Sequence, residues 1–198
     1  MAQLFKFRIW GAQVANFRHG RAGAFTIIEL IVVISIILVL AGLVLATSSY
    51  VHNKGARSRA EAEIAAFSAA LENYKADNGV YPADTSVNAR TVGDPTQYVT
   101  ANQTFYVALT GDADRNRQTD SGKTSYMTFK DNQLSPATGT VSFIKDPFGN
   151  TYGYSTIFQT DSTKGYNPTF DLWSTGGLTI NPPPTAPDTV TPQWIKNW

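Results

Sequence analysis

Phe25 to Ala46 is a run of 22 residues, sixteen of them Phe, Ile, Leu or Val, and no other segment restricts the fold as much. As a helix rising about 1.5 Å per residue it reaches about 33 Å, the thickness of a bilayer's hydrocarbon core. Glu29 is its only charged residue. The summed apolar transfer preference outweighs that acid several-fold, so the segment is expected to insert. Lys6, Arg8, Arg18 and Arg21 are the only charged residues before the run, and all fifteen acids follow Arg21. A basic N-terminal flank is expected to keep residues 1–24 in the cytoplasm and send the rest of the chain across.

Counts of reactive residues narrow the chemistry. There is no cysteine, which excludes a disulfide framework, a thiolate metal site and a cysteine nucleophile. The two histidines are His19 and His52; if the N-terminal segment holding His19 is removed one remains, which makes Ser/His/Asp, His-rich zinc and His general-base sites hard to assemble. Ser/Lys dyads and carboxylate pairs are the catalytic options left open. Beyond residue 24 the chain carries 12 basic against 15 acidic residues, so no basic surface for nucleic acid is implied. The chain is read as a protein that is not an enzyme, with no catalytic residues.

No proline occurs between Phe25 and Tyr81, so one helix is expected over Phe25–Asp77, weakest at Gly55. Ala60, Ile64, Phe67, Leu71 and Tyr74 recur at spacings of four and three, which places one apolar stripe on its second half. Asn78-Gly79, with Pro82 soon after, reads as its stop. Glu61 and Glu63 alternate with Arg57 and Arg59 and are expected on a solvated face in intrahelical ion pairs.

Residues 82–180 read as a β-rich head. "SYMTF", "TVSFI", "TYGYSTIF" and "TFDLWS" are short and rich in aromatic and β-branched residues, and "DPFGN" and "STGG" mark turns. "TFYVALTG" suits a short helix as well as a strand. Asp146 is expected to open a turn before Pro147. Tyr152, Tyr154, Phe170 and Trp173 suit either a sugar-binding face or core packing. Residues 181–198 form a proline-rich tail whose final "WIKNW" is expected to dock its tryptophans on the body.

Three readings compete for residues 1–46. A secretory signal cleaved after Ala46 has small residues at "VLATSS", but its apolar region is too long. A plain signal anchor fits length and flank and leaves Glu29 unexplained. In the third, "RAGAFTIIELIVVISIIL" resembles the N-terminal signal of type IV pilins and pseudopilins, a basic leader and a small residue followed by Phe-Thr-x-x-Glu. The resemblance implies that a prepilin peptidase cuts before Phe25 and methylates the new amine. Ala24 is then the last leader residue, Phe25 the first mature residue and Glu29 the fifth. The family usually has Gly before the cut, and here Gly23-Ala24 precedes Phe25; cutting after Gly23 would make Glu29 the sixth residue. The register of the acid favours the cut after Ala24. Glu29 would then pair, in a low dielectric, with the Phe25 amine of a neighbouring subunit.

The resemblance extends further. "ALENYKADNGVYP", "DPFGNTYGYS" and "PTFDLWSTGG" are similar to segments of the major pseudopilin of type II secretion systems, while residues 83–140 have no such counterpart. It implies an α+β, pilin-like fold: a long N-terminal helix, membrane-spanning in its first half and amphipathic in its second, packed on a small antiparallel β-sheet. The segments are a cleaved leader (1–24), a transmembrane and filament-core helix (25–46), its amphipathic continuation (47–81), the head (82–180) and the tail (181–198). The partners implied are further copies of the chain, minor pseudopilins, the peptidase and an inner-membrane platform with a cytoplasmic ATPase. Localisation would be a single-pass inner-membrane protein, head in the periplasm, then a periplasmic filament. A type IV pilin serving adhesion, motility or DNA uptake, and an anchored enzyme or binding module, are the alternatives.

No cofactor is expected, calcium being the one left open. Relatives of this kind often bind calcium after Ser-x-Gly, but Ser174-Thr175-Gly176 is followed by no acid until Asp188. A second cluster, Asp112, Asp114, Asn116 and Asp120, has oxygen ligands at alternate residues, with Arg117 and Lys123 where an EF-hand loop has Gly and Glu. A solvated loop is the competing reading.

Overall fold

The computed structural model describes residues 25–178 and 193–198. Residues 1–24, with Gly23 and Ala24 of the expected cleavage site, and residues 179–192 of the proline-rich stretch lie outside the described residues. The chain is α+β. Helix α1 runs Ile27–Asn78 and α2 Val99–Thr110, and the strands are β1 (Leu134–Ser135), β2 (Phe143–Ile144), β3 (Gly153–Ser155), β4 (Asp171–Ser174) and β5 (Ile195–Lys196). Two compact units divide it, Met1–Ala46 and Thr47–Trp198.

In the first unit α1 is apolar on every side. Each Ile, Leu and Val from Ile27 to Leu45 is exposed, from 48% at Val33 to 79% at Ile27. A helix of that kind calls for lipid or other helices around it. Ser35 donates its hydroxyl to the Val32 carbonyl at 2.7 Å, so the side chain brings no unpaired donor into an apolar medium. This helix, near the N-terminus, is long and apolar enough to span a membrane.

In the second unit the apolar stripe becomes the core. Ala60, Ile64, Phe67 and Leu71 are buried and Tyr74 packs beside them. Phe67 meets Phe105 of α2 edge-on at 5.6 Å between ring centroids, and Tyr152 at 5.1 Å. The helix stops where the sequence indicates. Gly79 adopts φ +79° and its N–H reaches the Lys75 carbonyl at 2.7 Å, a left-handed C-terminal cap that glycine enters without a Cβ penalty.

Among the described residues the strands form two small antiparallel sheets. β1 pairs with β2, Leu134 opposite Ile144. β4 lies between β3 and β5, with Gly153 opposite Trp173 and Trp173 opposite Lys196. Glycine is required at 153, because a Cβ there would sit 2.0 Å from the Trp173 indole. Tyr152, Tyr154, Phe170 and Trp173 are all buried, which makes them core and removes the sugar-binding face. β5 lies in the span read as tail: residues 193–198 return to the body, and Trp194 stacks on Trp173 at 6.2 Å.

Less of the head is strand than the composition suggests. "SYMTF" (125–129) is not a strand; its Tyr126 and Met127 N–H groups donate to the Leu109 carbonyl, at 2.8 and 3.1 Å. "TFYVALTG" resolves as helix, and α2 supplies partners that a wider sheet would have used. Asn102 donates to the Tyr152 carbonyl at 2.8 Å and accepts from Ile144 N–H at 2.6 Å. Gln103 donates to the Ser142 carbonyl at 2.9 Å. With those backbone groups satisfied by side chains, "TVSFI" keeps only Phe143–Ile144 in strand, and "TYGYSTIF" turns after Ser155 into a short 3-10 segment, Ile157–Gln159.

Candidate functional site

Three places concentrate polar chemistry, and the first begins α1. Phe25 is 77% exposed. Glu29 folds back on Thr26: its Oε2 accepts from the Thr26 N–H at 2.8 Å and from the Thr26 hydroxyl at 2.9 Å, while the hydroxyl oxygen accepts from Glu29 N–H at 3.3 Å. This is a capping box, in which a Thr and a Glu three residues later satisfy helix-end donors reciprocally. The acid therefore has a partner inside its own chain. Thr-x-x-Glu before an apolar run is itself a start signal for a helix, so the same four residues that resemble a processing signal also specify a local partner for the acid.

The second place overturns an expectation. Glu63 is not on a solvated face but only 9% exposed. Its Oε1 accepts from Arg59 Nε at 2.9 Å and Gln133 Nε2 at 3.0 Å, and its Oε2 from the Tyr152 hydroxyl at 2.7 Å. Burial, followed by that bond to Glu63, pushes the Tyr152 hydroxyl well above its ordinary pKa. The intrahelical pair expected between Arg59 and Glu63 does form, with two long-range donors added. Arg57 instead donates to the Gln193 carbonyl at 2.6 Å. Helical phase separates the two glutamates: Glu63 lies three residues after Ala60 and four before Phe67, at the edge of the core stripe, whereas Glu61 falls farther round the helix.

The third place is the loop after α2. Asp112, Asp114 and Asp120 bring carboxylate oxygens within 4.8 Å of one another, an all-oxygen set of the type that a hard cation takes. Each is already held by the loop. Asp112 accepts from the Tyr106 hydroxyl (2.8 Å) and from Asn116 and Arg117 N–H (3.0 and 2.7 Å). Asp114 accepts from Asn116 N–H at 3.2 Å, and Asp120 from Ala113 N–H at 3.0 Å. Asn116 turns its amide to Asp114 (2.9 Å) and its oxygen to Gln118 N–H (2.8 Å). These bonds account for the loop's shape without an ion, so the four residues are donors that could hold calcium rather than a site that requires it. Burial pushes the Asp112 carboxyl up, but the Tyr106 hydroxyl and the loop N–H groups outweigh it and hold the pKa below the ordinary value.

Arg117 fastens this loop to the next. In left-handed backbone at φ +78°, it donates to the Gly139 carbonyl (2.9 Å), the Pro136 carbonyl (2.6 Å) and Asp131 (2.9 Å). Asp146 opens the expected turn and does more. One oxygen accepts from Phe148 and Asn150 N–H, at 3.0 and 2.8 Å, and the other from the Ser174 hydroxyl at 2.5 Å. Burial raises its pKa, partly offset by the Ser174 hydroxyl and the turn's N–H groups.

No protein-family model matches the chain, and no curated protein or solved structure matches it. The functional reading therefore rests on this chain's own residues.

Proposed function

We propose that the chain is a pseudopilin-like structural subunit of a type II secretion filament. In this reading a prepilin peptidase releases it before Phe25. The exposed apolar part of α1 then exchanges lipid for the same helix of neighbouring copies, and the folded head, pilin-like in plan, is carried on the filament's outside in the periplasm. Subunits added at the base, by a platform driven by a separate cytoplasmic ATPase, lengthen the filament and move secreted proteins.

The observation that carries the reading is Phe25-Thr26-x-x-Glu29 at the start of a helix whose every large apolar side chain up to Leu45 is exposed. An exposed apolar surface on that scale needs a partner, and identical helices supply one. The absence of cysteine, and the internal hydrogen bonding of most buried side-chain polar atoms among the described residues, with Tyr98, Trp173 and Trp194 as exceptions, support a structural role over catalysis. Intact-mass analysis of the protein from its host tests it. Loss of residues 1–24 with a methylated Phe25 is expected; an intact N-terminus or a cut after Ala46 overturns it.

A further inference from the structure

The first charges after the apolar run are all basic, Lys54, Arg57 and Arg59, with His52 beside them and no acid between Glu29 and Glu61. They sit within α1. At about 100° per residue, His52 and Arg59 project from one side of the helix and Lys54 and Arg57 from the opposite side. A helix that lays its charges on one protein surface gathers them on one face, whereas charges on all sides suit a medium that surrounds it.

The body engages the two arginines and leaves the other two side chains to solvent. The side chains of His52 and Lys54 are exposed and make no hydrogen bond or ion pair among the described residues. Arg59 commits its Nε to Glu63, and its side chain is 46% exposed. Arg57 donates to the Gln193 carbonyl. Tyr50 and Val51, 69% and 64% exposed, precede them. The turn residues Pro147 and Phe148 line, with Val51, His52 and Arg59, a groove of about 530 Å³.

We propose that residues 50–59, with Pro147 and Phe148, form a docking collar for the headgroups of anionic phospholipids of the phosphatidylglycerol type. The inference rests on the membrane-spanning step of the reading above. Charge complementarity selects the occupant: Lys54 and the remaining Arg59 N–H groups donate to phosphate oxygens, and Tyr50 suits the interfacial layer. His52 to Arg59 covers about 10 Å of helix, and a headgroup layer is roughly 5–8 Å deep on each side of the hydrocarbon. Along the helix Lys54 lies about 14 Å beyond Leu45, outside the headgroup layer itself, and its long side chain bridges the difference by reaching back toward the phosphates. Lys54 follows Leu45 by only nine residues, so the chain itself holds the collar at high effective concentration near any bilayer that the apolar run occupies. Such a collar would retain unassembled subunits in lipid, and assembly would have to release it.

The test uses the full chain in phosphatidylcholine nanodiscs with rising phosphatidylglycerol, read by amide shifts of residues 50–59 and 147–148. A saturable shift is expected, weakened by added salt. It should be about fivefold weaker in Lys54→Gln, the usual effect of one basic residue near an anionic surface. Lys54→Glu should weaken it more, and so should Ser58→Glu, which adds a charge at an exposed position and removes no contact. Unchanged shifts in the head report that these variants fold. The proposal is overturned if phosphatidylglycerol and phosphatidylcholine give the same spectra, if inorganic phosphate reproduces the shifts in neutral discs, or if Ser58→Glu titrates like the parent. Alkaline extraction separates the two readings. A chain that stays in the discs without a phosphatidylglycerol effect sinks only the collar, whereas a chain that washes out sinks the membrane step and the collar together.

Discussion

The Tyr152 hydroxyl donates to Glu63 Oε2 at 2.7 Å, so a phenol beside β3 is bonded to a carboxylate on α1 within the core. With Arg59 and Gln133 on the other oxygen, both oxygens of a poorly solvated acid are engaged by three donors. Tyr152→Phe keeps the ring against Phe67 and removes one donor. The expected loss is about 1–3 kcal/mol, the usual cost of leaving a buried acceptor unpaired. Urea unfolding of the full chain in detergent measures it, and an unchanged midpoint would mean that solvent reaches Glu63.

Gly153→Ala probes packing rather than polarity. The added methyl would lie 2.0 Å from the Trp173 indole, and Trp173 is itself sandwiched in a buried aromatic cluster with Tyr98 and Trp194. Overpacking of this kind costs about 1–3 kcal/mol or more. Thermal unfolding followed by tryptophan emission should show a lowered midpoint together with an altered native spectrum.

Two buried carboxyls should respond to acid with opposite sign. Asp112 has a folded pKa below the ordinary 3.8, so its contribution is present above that value and is lost as the pH falls through the lower folded one. Asp146 has a folded pKa above 3.8 because burial penalises its charge. Its ionised form opposes folding at neutral pH, and that penalty is relieved as the pH falls through the raised value. Asp112→Asn should therefore destabilise most at neutral pH, with the difference from the parent closing in acid. Asp146→Asn should fare best against the parent at neutral pH and lose that advantage on acidification. Urea midpoints across the acid range decide both, and parallel curves for the two variants would contradict the assignment.

Glu29 and Thr26 can be separated by substitution. Under the filament reading, Glu29→Ala is still cleaved before Phe25 but does not join filaments. Thr26→Val loses the hydroxyl half of the capping box and keeps the acid, so it should assemble. Equal failure of both variants in a filament pull-down would mean that the cap is all the acid provides.

The helices were more legible in the sequence than the sheets, for a physical reason. α1 declares itself through local periodicity: Ala60, Ile64, Phe67 and Leu71 fall on one stripe whatever packs against it, and Asn78-Gly79 stops it by backbone chemistry alone. Strands at 125–129 and 140–144 were read from residue type, which reports only that a segment suits a pleated, half-buried surface. Whether such a segment pairs is decided elsewhere: Asn102 and Gln103 of α2 take backbone groups at 140–144 that a ladder would have used, and the Leu109 carbonyl takes the N–H groups of Tyr126 and Met127. The polar sites divide in the same way. Asp112, Asp114, Asn116 and Asp120 were visible because their spacing is local. Glu63 falls at the edge of the stripe, where phase alone does not decide its exposure; Gln133 and Tyr152, 70 and 89 residues away, supply the donors that hold it buried.

The closed ring of bonds between Thr26 and Glu29 bears on how a junction between subunits would behave. An acid that reaches the junction already occupied does not wait as a bare charge for an amine to appear. Under the filament reading it would trade its own chain's Thr26 donors for the Phe25 amine of a neighbouring copy. Joining then gains only the difference between two satisfied states, and the reverse trade is correspondingly accessible. A filament joined by such trades is suited to shortening as well as growth, with direction set by the machinery at its base.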